Sequence, residues 1–269
     1  MAPAVAILAW CTAAPVTRSL PLDFGAYSVK VDAFGVVKDV SVDGRVWISL
    51  VHLIDTGNYE GRVGNTRVWQ GEKEIEVAGG ATSLERVDGG LRLTRSALVG
   101  NAQYPDFVAY RETLVLGTNG LLEFEYLLTM RQDVVYLSFA FPQIRVSLPM
   151  PALLDRPIRL VDKDEIPSLF TFIDDPKQMK GTRLPWVQAF DLLVAPLRIL
   201  SIRSSFPTIS VSDSRAWGGN DFDLRSSGPL PEWKEKFPVV RGATKKIDLS
   251  IQLPLARAAV VPALQEPAP

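Results

Sequence analysis

The chain has one cysteine, Cys11, in 269 residues. An intrachain disulfide and a cysteine-ligated zinc site are therefore both excluded. Charge of either sign is not in excess: 29 basic residues stand against 30 acidic ones, a formal net charge of −1. Phosphate backbones demand a concentrated positive surface, so nucleic acid is not an expected partner. No run of Lys and Arg is long enough to hold the chain on an anionic membrane. No apolar run approaches the ~20 residues that span a bilayer, so no transmembrane segment is expected. Sustained apolar residues at helical spacing are missing as well. There is no Gly-rich phosphate loop, no Gly-x-Ser-x-Gly elbow, no His-Glu-x-x-His helix and no repeat of fixed period. No cofactor is expected.

What remains is alternation. From residue 22 to residue 255 the dominant period is two, which marks half-buried strands. Residues 27–31, Tyr-Ser-Val-Lys-Val, alternate cleanly, and 36–42 follow Phe34-Gly35. Asp43-Gly44 reads as a hairpin turn into 45–54. Further strands are expected at 73–77, 82–87, 91–98, 107–116, 121–129 and 134–141, the last ending at Pro142. Others are expected at 156–161, 168–173, 186–194, 199–203, 208–212 and 245–253. The 20 prolines and 19 glycines are spread between these runs instead of gathering in a linker. The pattern predicts an all-β chain, a large antiparallel two-sheet β-sandwich.

Residues 20–255 read as that one domain. Before it, residues 4–10 (Ala-Val-Ala-Ile-Leu-Ala-Trp) are a short apolar run followed by Cys11-Thr12-Ala13-Ala14-Pro15. This pattern is that of a secretory leader without its positive start, so 1–19 are assigned as a leader and the protein as exported, periplasmic or extracellular. Leu8-Ala9-Trp10-Cys11 is also near a lipoprotein acylation motif, from which Trp10 departs. An ordinary N-terminal strand or tail would have the same composition. Residues 256–269 are rich in Ala and Pro and read as a tail.

Three stretches carry a resemblance. They are 34–44 (Phe-Gly-Val-Val-Lys-Asp-Val-Ser-Val-Asp-Gly), 100–126 from Gly-Asn-Ala-Gln-Tyr to Leu-Leu-Glu-Phe-Glu-Tyr, and 242–249 (Gly-Ala-Thr-Lys-Lys-Ile-Asp-Leu). Together they resemble the galactose-mutarotase-like supersandwich superfamily, whose domains occur in aldose epimerases, polysaccharide lyases and accessory domains of glycoside hydrolases. The resemblance implies a supersandwich and an oligo- or polysaccharide partner. Aldose mutarotases of this kind use paired histidines with a glutamate. This chain has His52 alone, so their chemistry does not carry over, and a glycan lyase or hydrolase fits better than an epimerase. A non-enzymatic periplasmic or extracellular interaction module is the alternative.

Candidate residues follow. His52, in Leu50-Val51-His52-Leu53-Ile54, is the one imidazole and the natural acid or base near neutral pH; a buried, hydrogen-bonded histidine would read the same. Tyr104, Tyr110 and Arg111 form a second cluster. On a uronic-acid polymer Tyr or His could take the C5 proton and Arg could neutralise the carboxylate. Alternation puts Tyr110 and Glu112 on one strand face and Arg111 on the other, which suits plain cross-strand packing equally. His52, Tyr104 and Arg111 are the catalytic candidates. For sugar binding, the polar stretch 55–62 offers Asn58, followed by Arg67 and Trp69; aromatic faces stack on sugar rings. Residues 212–223 read as another polar loop, with Trp217, Asn220 and Asp221. Asn220, Asp221 and Asp223 carry oxygen donors, but their spacing is not that of a calcium loop, so no metal is expected. Asp162 to Glu165 and Asp174-Asp175 are carboxylate groups that charged turns explain simply.

Overall fold

The computed structural model describes residues 14–16, 19–55, 58–59, 76–79, 82–101, 104–138, 143–162, 164–171, 187–205, 208–214, 219–227 and 237–256. The chain opens with β1 (Ala14–Val16), β2 (Leu20–Asp23), β3 (Tyr27–Val31), β4 (Val37–Val42), β5 (Arg45–Asp55) and β6 (Asn58–Tyr59). β7 (Glu76–Gly79), β8 (Thr82–Val87), β9 (Gly90–Asn101), β10 (Tyr104–Gly117) and β11 (Leu121–Met130) follow. Next come β12 (Val134–Ser138), β13 (Gln143–Pro149), the single-turn helix α1 (Met150–Leu153), β14 (Pro157–Asp162) and β15 (Pro167–Thr171). β16 (Val187–Ala195), β17 (Arg198–Ser204), β18 (Thr208–Asp213), β19 (Asp221–Ser227), β20 (Phe237–Val239) and β21 (Thr244–Gln252) complete it.

The strands make two layers. The larger runs β1-β8-β9-β10-β11-β21-β17-β16-β14-β15, with β7 also on β9. The smaller runs β2-β3-β4-β5-β13-β19-β18. One residue pair, Val187 with Ile209, links β16 to β18 and makes the ladder continuous. All pairings are antiparallel. The expected β-sandwich is the fold observed.

Period-two sequence explains the layering directly. In β11, Leu122, Phe124, Tyr126, Leu128 and Met130 are buried, while Glu123, Glu125 and Leu127 are exposed. Ile247, Leu249 and Ile251 of β21 continue the inward row. From the other layer, Ile144, Val146 and Leu148 of β13 and Phe222 and Leu224 of β19 join the same core cluster. Asp43 and Gly44 both have positive φ, 51° and 72°, the geometry that lets a two-residue turn follow the strand twist.

Two strands of the smaller layer needed more than alternation. β13 lies between Pro142 and the α1 turn, and it sits centrally, between β5 and β19. Its residues had not been assigned to any strand. β19 occupies the end of the stretch read as a polar loop. Its polar residues are real, but they alternate with Phe222 and Leu224, which are fully buried. β6, β12 and β20 form a small sheet of order β20-β12-β6. That order parallels the order of β19, β13 and β5, the strands next to them in the chain.

Within the segment assigned as a leader, Ala14–Val16 pairs with β8 through Ala14–Leu84 and Val16–Thr82. Residues 1–13, 17–18 and 257–269 lie outside the described ones.

Candidate functional site

The site is built where three strands distant in sequence become neighbours. Arg145 of β13 stands opposite His52 of β5, and Ser147 of β13 stands opposite Asp223 of β19. Because Ile144, Val146, Leu148, Phe222 and Leu224 point inward, their alternating partners Arg145, Ser147, Asp221 and Asp223 point away from the core. An outward face of this composition would normally be wet. Here Ser147 is fully buried, Asp223 is 2% exposed and His52 is 8% exposed.

The polar groups satisfy one another. The Arg145 Nε–H is shared between Asp223 Oδ1 and Ser147 Oγ, each at 2.9 Å, and the Ser147 hydroxyl donates to the same Asp223 oxygen at 2.8 Å. Ser49 Oγ lies 2.9 Å from Asp221 Oδ2 and 3.1 Å from the Ser147 carbonyl. At the head of β19, the Asp221 N–H donates to Ser214 Oγ at 2.9 Å. A Cβ on Gly219 would fall 2.4 Å from that oxygen, so only glycine lets the chain enter β19 this closely. Asp213, opposite Phe222 at the end of β18, and Ser214 just beyond it are buried as well.

Charge around His52 is positive. Burial first, then the cations Arg145 and Lys38, hold its imidazole down to a pKa of about 3. The ring is neutral at physiological pH. It cannot start a reaction as a proton donor, and it is a weak base.

The sequence-derived candidates separate in space. His52 and Asp221 share this face, and Asn220 is exposed at its rim, its carbonyl accepting the Met150 N–H at 3.2 Å. Asn58 lies on β6 opposite Ser138, in the small sheet. Tyr104 and Arg111 belong to β10 in the other layer. Arg111 is exposed there, opposite Ser96 and Leu127, while Tyr110 and Glu112 face inward. Tyr104 pairs with Asn101 next to a bulge, and its side chain is outside the described atoms. Arg67, Trp69 and Trp217 lie outside the described residues. Arg145 and Ser147 had not been singled out at all. Their signal is the Ile-x-Val-x-Leu alternation of 144–148, which sends the residues between to a shared face. Among the described residues no group of three or more His, Cys, Asp or Glu could hold a metal.

A concavity lies on the outer face of the larger layer. It encloses about 510 Å³ and is lined by Thr113, Glu123, Glu125, Arg203, Asp248 and neighbours. Its lining spans β10, β11, β21 and β17, so this face is dished. Lys246 bridges Glu125 and Asp248 at 2.9 and 3.1 Å, all three being about half exposed. Wet ion pairs of this kind contribute little and need no ligand to explain them. Burying Asp223 against the partly exposed Arg145 is a different matter, because desolvating charge is costly even when it is paired.

No protein-family model matches the sequence, and no curated protein is detectably similar to it. Solved structures are similar in fold. The Slr1438 protein from Synechocystis sp. PCC 6803 superposes with a TM-score of 0.57 at 10% identity, over 93% of this chain and 99% of that one. A galactose mutarotase-like protein from Lactobacillus casei ATCC 334 gives 0.51 at 11% identity, over 87% and 99%. The galactose 1-epimerase from Lactobacillus acidophilus NCFM gives 0.51 at 8% identity, over 90% and 97%. The chain has the galactose-mutarotase-like fold.

Proposed function

We propose that this is an exported carbohydrate-binding protein, and that the saccharide binds on the polar face of β5, β13 and β19. The observation that carries this reading is the row of buried His52, Ser147 and Asp223 with the partly exposed Arg145, on a face that points away from the core. Fixed donors and acceptors with little water around them are what hydroxyl recognition requires. The fold supports the ligand class, since two solved proteins that share it are named for galactose mutarotation or epimerisation. Paired-histidine chemistry is not available, because the chain has one histidine. If the bound glycan is turned over, the reaction is elimination or hydrolysis. Export rests on residues 1–19 and is checked by the intact mass of the protein recovered outside the cytoplasm.

The test is a glycan panel on the purified protein, read three ways: thermal shift, absorbance of unsaturated uronic products, and new reducing ends. Binding by at least one glycan class is expected. Silence in all three would remove the reading.

A second reading has its own observation. Leu169 on the edge strand β15 and Leu197 in the β16–β17 turn are each 81% exposed, and Ile166 and Ile199 are exposed nearby in sequence. Such apolar side chains suit protein contact better than solvent. On this reading the chain is a non-enzymatic interaction module, and a Leu169→Ser, Leu197→Ser pair should abolish its partner binding without altering any glycan response.

A further inference from the structure

Arg145 is held by one nitrogen only. Both of its bonds run from Nε, to Asp223 and Ser147. Neither Nη atom makes a hydrogen bond to a described residue, although the side chain is only 27% exposed. A guanidinium carries five N–H donors in a rigid fork whose outer edge matches the two oxygens of a carboxylate or the oxygens of a sulfate. Anchoring Nε fixes the plane of that fork in advance, so little side-chain freedom is lost when a ligand is gripped.

We infer that the outer edge of Arg145 is a recognition site for the oxyanion of an acidic saccharide, a uronic acid or a sulfated sugar. The inference rests on the carbohydrate reading above and narrows it to a substrate class. Three features of the structure agree. Asp223 spends its Oδ1 on the inner edge of the guanidinium, leaving the outer edge to face elsewhere. Asp221, the other carboxylate of the row, is held by Ser49. At the opposite residue, His52, the charges that act most strongly are the cations Arg145 and Lys38, although Asp223 and Asp32 pair with them. The dished groove on the other layer is a poorer home for an anion, being lined by Glu123, Glu125 and Asp248.

Because His52 is the one histidine in the chain, its imidazole gives a single, self-assigned NMR signal beside Arg145. The experiment titrates glucuronic acid, galacturonic acid and glucose 6-sulfate, with glucose, galactose, acetate and inorganic sulfate as comparators. The acidic sugars are expected to move the His52 signal and raise its pKa, with at least tenfold tighter binding than glucose or galactose. Uronic acids alone acting would assign a carboxylate; glucose 6-sulfate alone acting would assign a sulfate. Arg145→Gln should erase the tenfold preference, and Arg145→Lys should restore charge but only part of it. Removing Arg145 leaves Asp223 buried without its cation, so a variant that does not fold leaves the wild-type titration to decide. Neutral sugars moving the signal as strongly as acidic ones would overturn the inference while sparing the carbohydrate reading. Acetate and sulfate matching the acidic sugars would overturn it too, since the saccharide would then contribute nothing. No response to any sugar, here or in the glycan panel, would remove both.

Discussion

At the scale of a residue, His52 shows how burial turns a reactive group into a pH liability. An unfolded histidine takes up its proton near pH 6.5; in this fold the ring takes it up only at about 3, because charging it would strand a cation in a dry site beside Arg145 and Lys38. Between those two values the unfolded chain binds a proton that the folded chain refuses. Stability therefore falls as the pH drops through that window, by about 1.4 kcal/mol per pH unit, and above it His52 has no pH effect. His52→Gln has no such proton to take up. Urea unfolding of both proteins at about pH 7, 5.5 and 4 should show the wild type losing ground to the variant at each step. Parallel curves would mean that the ring charges freely in the folded state. The imidazole signals should also stay still from about pH 7 to pH 5 in the absence of ligand.

At the scale of elements, the turn between β3 and β4 is tied to the larger layer by a buried polar knot. The Arg95 guanidinium donates to the Ala33 carbonyl at 2.8 Å, to Thr82 Oγ1 at 2.9 Å and to Tyr110 Oη at 3.2 Å, and Glu112 sits opposite Arg95 across β9 and β10. Gly35 closes the turn with φ +80°, and a Cβ there would stand 2.9 Å from Glu112 Oε2. Gly25 has nearly the same φ, +78°, with open space around it. Gly25→Ala should cost roughly 1 kcal/mol for backbone strain alone. Gly35→Ala should cost two to three times that, since it adds a displaced buried carboxylate. Equal losses in chemical unfolding would mean that the knot yields and the turn is not pinned by it.

The same scale explains what could be read in advance. β11 and β21 announce themselves by long clean alternation, and the Asp43-Gly44 turn by its residue types. β13 and β19 carry polar residues on their outward faces and lie close to prolines or glycines, so their period-two signal was outweighed by loop-like composition. Those two strands hold most of the site. His52 could be noticed because it is the sole imidazole, and Asp221 because it lay in a polar stretch. The partnership of 52, 145 and 223 has no spacing along the chain that could reveal it. It exists only through the pairing order β5-β13-β19, which is a property of the whole sheet.

At the scale of the molecule, the two layers are bound by side chains more than by backbone. One pair, Val187 with Ile209, joins their ladders, whereas a single contiguous cluster of buried apolar residues draws on both. Phe124 enters it from β11 in the larger layer and Leu148 from β13 in the smaller, with 2% and 0% exposure. Truncating either to Ala should cost about 3 kcal/mol, from lost burial and the cavity left behind. If the shared core makes the layers one cooperative unit, calorimetry should show one transition, and Phe124→Ala and Leu148→Ala should each lower that same transition. The polar face around Arg145 would then be lost together with the rest of the fold, with no separate early melting seen by the His52 NMR signal. Two transitions, each lowered by only one of the substitutions, would mean that the layers are held independently and that the site rides on the smaller one alone.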